Sequence, residues 1–153
     1  MKKFVDIFID GACRGNPGPA AVGVIIMDGE KAVKKISQPI GEATNNIAEY
    51  AALIFALQEA LILKMPSVKI NTDSELLFNQ LKGKYKIKNA NLKFLYSLVQ
   101  HLLTGFESVD IRQIPREKNK EADALAAKAI KKEQAKMIAP MFDMGEESPS
   151  SEG

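Results

Sequence analysis

The chain has little of the chemistry that would cross-link it or place it in a membrane. Its 153 residues include one cysteine, Cys13, so no disulfide framework can form within it and a reducing compartment is expected. No apolar run approaches the roughly 20 residues that span a bilayer. The N-terminal stretch MKKFVDIFID reaches Asp6 and Asp10 too soon for a signal peptide. These absences predict a cytoplasmic protein with no membrane partner.

Acidic residues are few in most of the chain and concentrated at its end. Four of the 19 acidic residues follow Lys136, beyond which there is no lysine or arginine. They are Asp143, Glu146, Glu147 and Glu152. Residues 1–136 therefore contain 15 acids against 21 basic residues and carry a net charge of +6. A basic domain suits a polyanionic partner, although a charge that serves solubility alone would give the same numbers.

Length and composition predict one domain followed by a tail. A chain of 153 residues with 46% hydrophobic and 26% charged residues can form one compact domain, which we place at residues 1–136. From residue 137 onward, proline, serine, glycine and acids occur without periodicity. We expect residues 137–153 to form a flexible acidic tail, whose partner the sequence does not name. The default expectation for oligomeric state is a monomer.

Hydrophobic periodicity and turn residues predict a mixed α/β sheet. Strands are expected at residues 3–10, 20–27, 31–38, 68–72 and 107–114. Helices are expected at residues 46–64, 74–81, 92–103 and 119–134. A glycine- and proline-rich loop and an Asp28-Gly29 turn join the first three strands, as in an antiparallel meander. The alternation of helices and strands that follows places helices on the faces of the sheet.

Four carboxylates stand at the edges of four separate elements among apolar, small or asparagine neighbours. They are Asp10 at the end of the first strand, Glu49 one turn into the first helix, Asp73 after the fourth strand and Asp123 in the first turn of the last helix. A buried carboxylate costs free energy unless a cation meets it. If the fold brings the four together, their oxygen ligands would suit a hard divalent cation such as Mg²⁺.

Three of these acids also have ordinary structural explanations. Asp10 could initiate the turn that follows it, whereas Gly11 would let a substrate or metal approach the backbone there. Glu49 and Asp123 could stabilise the dipoles of their helices from the first turn. Asn119 is then the expected N-cap of the last helix.

Helix capping is the corresponding alternative for Asp73 and for a pair of asparagines. The pattern Thr72-x-x-Glu75 matches a capping box, which would make Asp73 a first-turn acid. The C-terminal end of a strand in an α/β sheet is also where binding sites are built. Thr44 or Asn45 is expected to begin the first helix, so Asn45 or Asn46 is expected to serve as a cap.

Four strings in the chain resemble the motif blocks of type 1 ribonuclease H. They are IDGACRGNPGPAAVG, TNNIAEYAALIFAL, TDSELLFNQLKGKYKIKN and IPREKNKEADALAAKA. The resemblance covers about residues 3–130. It implies the ribonuclease H-like α/β fold, a five-stranded mixed sheet whose first three strands are antiparallel, with helices on both faces. That architecture agrees with the order of elements given above.

The resemblance also implies a chemistry. In this family a four-carboxylate site holds two Mg²⁺ ions, for which Mn²⁺ can substitute. Two metal ions about 4 Å apart can activate the attacking water and stabilise the leaving oxygen. The substrate is the RNA strand of an RNA–DNA hybrid, cut to leave 5′-phosphate and 3′-hydroxyl ends. By motif match the ligands are Asp10, Glu49, Asp73 and Asp123. No protein nucleophile is needed, and Cys13 has no obvious base beside it.

Recognition of RNA requires contacts to the 2′-hydroxyl group. The turn Cys13–Asn16 and the pair Asn45–Asn46 match family positions that contact successive 2′-hydroxyls, and an asparagine amide can both donate and accept. Thr44 matches a position near a DNA-strand phosphate, and Gln80 matches a base or sugar contact. The residues that the resemblance assigns to substrate binding are Gly11, Cys13, Arg14, Asn16, Thr44, Asn45, Asn46 and Gln80.

The chain departs from part of the family near the last acid. Some members carry a histidine about ten residues before it, which is associated with proton transfer or product release, and Gln113 occupies that position here. The single histidine, His101, is expected to be structural or on the surface. Arg116 or Glu117 could take the role, and Arg116 is favoured because a cation could meet a phosphate.

The basic segment is also shorter than in some members, which have a long protrusion containing tryptophan. This chain has no tryptophan. Its lysines Lys82, Lys84, Lys86 and Lys88 alternate with Tyr85 and Ile87. They could bind phosphates or form a solvated loop. The tail beyond residue 136 has no counterpart in the family core.

Three other functions stay open at this point. The motifs do not exclude cleavage of other RNA duplexes, including double-stranded RNA, because those duplexes also present 2′-hydroxyls. A non-catalytic hybrid-binding module would be expected to have lost a carboxylate, and none is missing. A structural α/β domain would leave the order of the acids and asparagines without an explanation.

Overall fold

The computed structural model describes residues 4–138, with side chains up to residue 136. Its strands are β1 (Val5–Cys13), β2 (Gly18–Asp28), β3 (Lys31–Ala43), β4 (Ser67–Thr72) and β5 (Ser108–Gln113). Its helices are α1 (Asn45–Ile62), α2 (Glu75–Leu81), α3 (Ala90–Leu103) and α4 (Lys120–Ile138), and a 3-10 turn, Arg116–Lys118, precedes α4. No helix within residues 4–138 combines the length and apolarity needed to cross a membrane.

The five strands form one mixed sheet in the order β3-β2-β1-β4-β5. β2 pairs antiparallel with both β1 and β3. β1 pairs parallel with β4, and β4 pairs parallel with β5. The predicted mixed sheet with an antiparallel first half is therefore confirmed. Because β1 lies at the centre of the sheet, a residue near its end can be reached from both faces.

Helices cover the two faces of the sheet unequally. On one face, α1 and α3 bury the main core, in which Ile7 and Ile9 of β1 pack with Leu53 and Leu57 of α1. On the other face, α4 lies across β1, β2 and β3, and its Ala129 packs against the sheet. Burial of these apolar side chains is the main force that fixes both helices on the sheet.

Two glycines allow the helices to approach the sheet closely beside Asp10. A β-carbon on Gly11 would collide with the backbone of Ala48 and Glu49 in α1. A β-carbon on Gly23 would collide with the backbone at Ala122 and Ala126 in α4. Gly11 follows Asp10 in the chain, and Gly23 is the partner of Asp10 in the β1–β2 register. The first turns of α1 and α4 are thus held against the sheet on either side of Asp10.

Three elements extend three or more residues beyond their predicted C-terminal ends. β1 continues to Cys13, because its pairing with β2 carries the strand through the predicted loop. β3 runs to Ala43, since an edge strand with a bulge tolerates Pro39. α4 runs to Ile138 and so includes the first two residues of the predicted tail. The rest of that tail, residues 139–153, lies outside the described residues.

Candidate functional site

Three of the four singled-out acids meet at one place. Ligand oxygens of Asp10, Glu49 and Asp73 lie within 4.8 Å of one another. Asp10 comes from β1, Glu49 from the first turns of α1, and Asp73 from the residue after β4. Asp10 is only 6% exposed, while the other two are half-buried. The carboxyl end of the central parallel pair of strands therefore gathers acids that are distant in the sequence.

Asp123 completes this acid cluster, the four carboxylates of Asp10, Glu49, Asp73 and Asp123. Its carboxyl group is close enough to raise the pKa of Asp10, and its side chain is exposed in the first turn of α4. All four acids line one cleft of about 290 Å³. The structure thus brings together the four residues predicted as metal ligands.

The electrostatics of the cluster favour a bound cation. Burial, together with the neighbouring charges of Glu49, Asp73 and Asp123, raises the pKa of Asp10 to about 9. Burial also raises the pKa of Glu49 to about 8, although the N–H of Gly11 and the charge of Arg116 oppose that rise. Negative charges that repel one another at this separation are neutralised by protons or by a divalent cation. Oxygen donors of this kind fit a hard divalent metal ion.

Glu49 is oriented by the backbone of β1. The N–H of Gly11 donates to Oε1 of Glu49 at 3.0 Å. The space above Gly11 is filled by the backbone of α1, so the glycine admits the helix. This corrects the expectation that Gly11 serves the approach of a substrate or metal, even though Gly11 also lines the cleft.

The N-cap of α1 is one of the two residues expected to begin that helix, whereas the N-cap of α2 is not the threonine of the predicted capping box. Thr44 caps α1, with its Oγ1 accepting from the N–H of Ile47 at 3.2 Å, so neither Asn45 nor Asn46 is the cap. Ser74 caps α2, and the capping box predicted from Thr72 does not form. Asp73 therefore lies outside the helix, and both asparagines are exposed on the first turn of α1.

The turn after β1 is joined to the start of α1 by polar contacts. Oδ1 of Asn16 accepts from the backbone N–H of Asn45 at 3.0 Å. Sγ of Cys13 lies 3.3 Å from Oδ1 of Asn45 and 2.6 Å from the carbonyl oxygen of Gly15, so its single S–H has both oxygens as acceptors within reach. Burial raises the pKa of Cys13, which keeps it a thiol. Cys13, Asn45 and Asn46 line the cleft, while Arg14 and Asn16 are exposed on the adjoining turn.

Gln80 does not lie where a substrate contact requires it. Its side chain is 4% exposed, and its Oε1 accepts from the hydroxyl of Tyr50 at 2.6 Å. Its Nε2 donates to the carbonyl of Lys86 at 3.4 Å. Both ends of the amide are thus used inside the protein, so the predicted base or sugar contact is corrected to a structural role. Gln80 anchors the connection between α2 and α3 against α1.

Most of the remaining predicted residues are exposed on other elements, and one lies at the cleft. Arg116 lines it and is close enough to lower the pKa of Glu49. Gln113 is exposed at the end of β5, and His101 is exposed on α3. The side chains of Lys82, Lys84, Lys86 and Lys88 are exposed in the connection between α2 and α3.

Asn119 is a site residue that the sequence did not reveal. Its expected role was to cap α4, yet its side chain donates to the carbonyl of Ile9 at 2.8 Å and to Oδ2 of Asp73 at 3.1 Å. It is 1% exposed. An asparagine just before a helix is common because asparagine is a good N-cap, so its place before α4 did not by itself indicate a second role. Its position relative to Asp123 was a usable signal: Asn119 lies four residues before Asp123, at the start of the first turn of α4, and so close to a predicted metal ligand.

Comparisons with known proteins agree on one family. A sequence model described as "Reverse transcriptase-like" matches residues 8–129. Ribonuclease HI of Halobacterium salinarum is 42% identical over 127 residues, which are 82% of this chain and 64% of that protein. Bifunctional protein Rv2228c of Mycobacterium tuberculosis is 36% identical over 154 residues, which are 97% of this chain and 42% of that protein. The chain therefore spans less than two thirds of the length of these two relatives.

A solved structure supports the same relationship. LC11-RNase H1, determined in complex with an RNA/DNA hybrid, superposes with a TM-score of 0.80 at 39% sequence identity. The match covers 85% of this chain and 99% of that one. Sequence identity at this level, over nearly the whole solved chain, indicates membership of the same family and not only a shared fold.

Proposed function

Because this chain belongs to the type 1 ribonuclease H family, we propose that it is an endoribonuclease that hydrolyses the RNA strand of RNA–DNA hybrids. The expected products carry 5′-phosphate and 3′-hydroxyl ends. The observation that carries the proposal is the cleft that holds the acid cluster beside Asn45 and Asn46. A cation site and groups able to read a 2′-hydroxyl thus share one concave surface.

The acid cluster would hold two Mg²⁺ ions, with Mn²⁺ as a substitute. The residues that would hold them are Asp10, Glu49, Asp73 and Asp123. Divalent ions bound there supply an activated water and neutralise charge on the leaving oxygen. The donor set supports the assignment, because it consists of carboxylate oxygens that hard cations prefer.

Residues on the first turn of α1 would distinguish the RNA strand from the DNA strand of the hybrid. Asn45 and Asn46 are exposed on the first turn of α1, where the amide of Asn46 can donate to and accept from a 2′-hydroxyl. Asn16 and Cys13 hold Asn45 in place through two hydrogen bonds. A DNA strand offers no 2′-hydroxyl to these groups, so it would be bound without the contacts that align a scissile phosphate with the acid cluster.

Cationic and hydroxyl groups would hold the phosphates. Arg14 is exposed on the turn that lies beside the cleft, and Arg116 lines the cleft next to Glu49. Thr44 accepts from Ile47, which leaves its hydroxyl proton available for a phosphate oxygen of the DNA strand. The exposed lysines of the α2–α3 connection would add a salt-dependent contact with the duplex backbone.

Some family members have a histidine with a role in product release at the position of Gln113, and glutamine cannot titrate. We further assign that role to Arg116 in this chain. The domain would act as a monomer in the cytoplasm. Residues 137–153 would stand apart from catalysis, and their partner is not specified by the site.

A substrate comparison tests the proposal. The RNA strand of a hybrid is labelled, and its cleavage is measured beside matched double-stranded RNA and double-stranded DNA in Mg²⁺. We expect cleavage of the hybrid RNA, with 5′-phosphate and 3′-hydroxyl ends, and little cleavage of the two other duplexes. If double-stranded RNA were cleaved as fast as the hybrid, the enzyme would be a ribonuclease of RNA-containing duplexes in general and not one specific for hybrids. Tight binding of the hybrid without cleavage in either Mg²⁺ or Mn²⁺ would reduce the protein to a binding module.

A further inference from the structure

Asn119 connects the elements that carry three of the four acids. Its Nδ2 donates to the carbonyl of Ile9, the residue before Asp10, and to Oδ2 of Asp73. Its own carbonyl accepts from the N–H of Asp123 at 3.1 Å. One residue thus joins the central strand, the loop after β4 and the first turn of α4 at the acid cluster.

The orientation of this amide is fixed by its partners. Both of its side-chain contacts are oxygens that accept, so a flipped amide would place Oδ1 against two oxygens and lose both hydrogen bonds. Within the described part of the chain, Oδ1 of Asn119 is buried without a hydrogen-bond partner. An unpaired buried acceptor destabilises the folded state, because it has lost its hydrogen bonds to water. A residue selected only to cap α4 would have turned this oxygen toward a helix N–H.

We propose that Asn119 is a positioning residue that holds the carboxylate of Asp73 in the orientation that binds metal. This inference rests on the proposed function, since it concerns the same acid cluster. Asp73 is half-buried at the end of a strand, and Asn119 is the residue whose side chain donates to it among the contacts of the described region. Partners of this kind restrict the rotation of a metal-binding carboxylate, and their loss typically weakens metal binding about 10- to 100-fold.

The chain provides a matched control at Asn71. This asparagine is 5% exposed, and its Nδ2 also donates to a β1 carbonyl, that of Ile7, at 3.2 Å. Its second acceptor is Oδ1 of Asp6 at 3.3 Å, a carboxylate outside the acid cluster. Asn71→Ala therefore removes a buried amide with the same two kinds of bond, without touching a proposed metal ligand.

The test is a titration of the metal-free full chain with Mn²⁺, with free Mn²⁺ measured by electron paramagnetic resonance. We expect Asn119→Ala to bind Mn²⁺ at least about 10-fold more weakly than wild type and Asn71→Ala to bind within about twofold of wild type. Thermal unfolding should show that both variants fold and lose comparable stability. If Asn119→Ala fails to fold, Asn119→Ser replaces it, because a serine hydroxyl is too short to bridge Ile9 and Asp73.

Hybrid cleavage provides a second measurement on the same proteins. The rate deficit of Asn119→Ala should shrink as the Mg²⁺ concentration rises, while KM for the hybrid stays at the wild-type value. Equal Mn²⁺ affinity in the two alanine variants would overturn the positioning role, whether both match wild type or both are weakened. Because the titration needs no hydrolysis, a wild-type protein whose Mn²⁺ affinity depends on Asn119 but that never cleaves would refute the proposed function and leave this inference standing.

Discussion

The backbone N–H of Gly11 donates to Oε1 of Glu49 at 3.0 Å, which joins the central strand to the first turns of α1. The same glycine leaves the space that the backbone of Ala48 and Glu49 occupies. The absence of one side chain therefore does two things: it lets the helix approach the sheet, and it gives a proposed metal ligand its hydrogen-bond donor.

Gly11→Ala should lower both stability and activity. The added β-carbon collides with helix backbone, which cannot move without shifting α1, and overpacking of this kind costs about 1–3 kcal/mol or more. Displacement of Glu49 should also reduce the cleavage rate by about 100-fold. Gly29→Ala is the control, because nothing lies within 4 Å of a β-carbon there. An alanine at the positive φ of Gly29, 65°, should lower the free energy of unfolding by about 1 kcal/mol and leave the cleavage rate unchanged. A Gly11→Ala protein with wild-type cleavage would contradict the close approach.

Asp10→Asn should stabilise the metal-free protein. Asp10 is buried beside three other acids, so its charged form is destabilised by burial and by repulsion. An asparagine is neutral without taking up a proton, so the substitution removes the cost of protonating Asp10 on folding and should raise the free energy of unfolding in EDTA at pH 7 by about 1–3 kcal/mol. Asp110→Asn, at an exposed ion pair with Arg112, should change it by less than about 0.5 kcal/mol. Denaturant titration measures both, and a marked loss of stability in Asp10→Asn would mean that Asp10 has a structural role.

The stability of the metal-free protein should fall as the pH rises. The pKa of Asp10 is raised from 3.8 to about 9 and that of Glu49 from 4.5 to about 8, so the folded state binds protons more tightly than the unfolded state. Their contribution to stability is complete below about pH 4 and is lost as the pH rises through 8 to 9. Wild type and Asp10→Asn should be compared by denaturant titration in EDTA between these limits. The free energy of unfolding of wild type minus that of Asp10→Asn should become more negative as the pH rises, whereas a difference that grows in favour of wild type would have the wrong sign.

Asn46→Ala should weaken binding of the hybrid without changing the metal site. Asn46 lines the cleft and is exposed, so its loss removes a contact with the 2′-hydroxyl but no side-chain hydrogen bond to the described residues 4–136. A lost hydrogen bond of about 1 kcal/mol corresponds to a rise in KM of about fivefold. Asn91→Ala, on the exposed surface of α3, should leave KM unchanged. An unchanged KM and unchanged preference for RNA in Asn46→Ala would remove Asn46 from the substrate contacts.

The sequence was sufficient to predict the architecture and the acid cluster. Strands of alternating apolar residues and a helix that is apolar nearly all round leave few arrangements other than a mixed sheet covered on its faces. Asp10, Glu49, Asp73 and Asp123 were conspicuous because each is an acid in an apolar setting. These are local properties of the chain, so they can be read without the structure.

The sequence was not sufficient where a side chain has a distant partner. Asn119 contacts Ile9 across 110 residues, and Gln80 contacts Tyr50 across 30. Nothing within a helical turn of either residue indicates such a bond. For the N-cap of α1 the sequence offered Thr44 or Asn45, because both residue types cap helices, and tertiary packing decides that Thr44 is the cap.

The most direct measurement is cleavage of a hybrid labelled on its RNA strand, by wild type and Asp10→Asn, in Mg²⁺ and in EDTA. Wild type should cut the RNA strand in Mg²⁺ and stop in EDTA, and Asp10→Asn should be inactive although folded. Cleavage that persists in EDTA, or an Asp10→Asn protein that cuts at the wild-type rate, would contradict a metal-dependent reaction at the acid cluster.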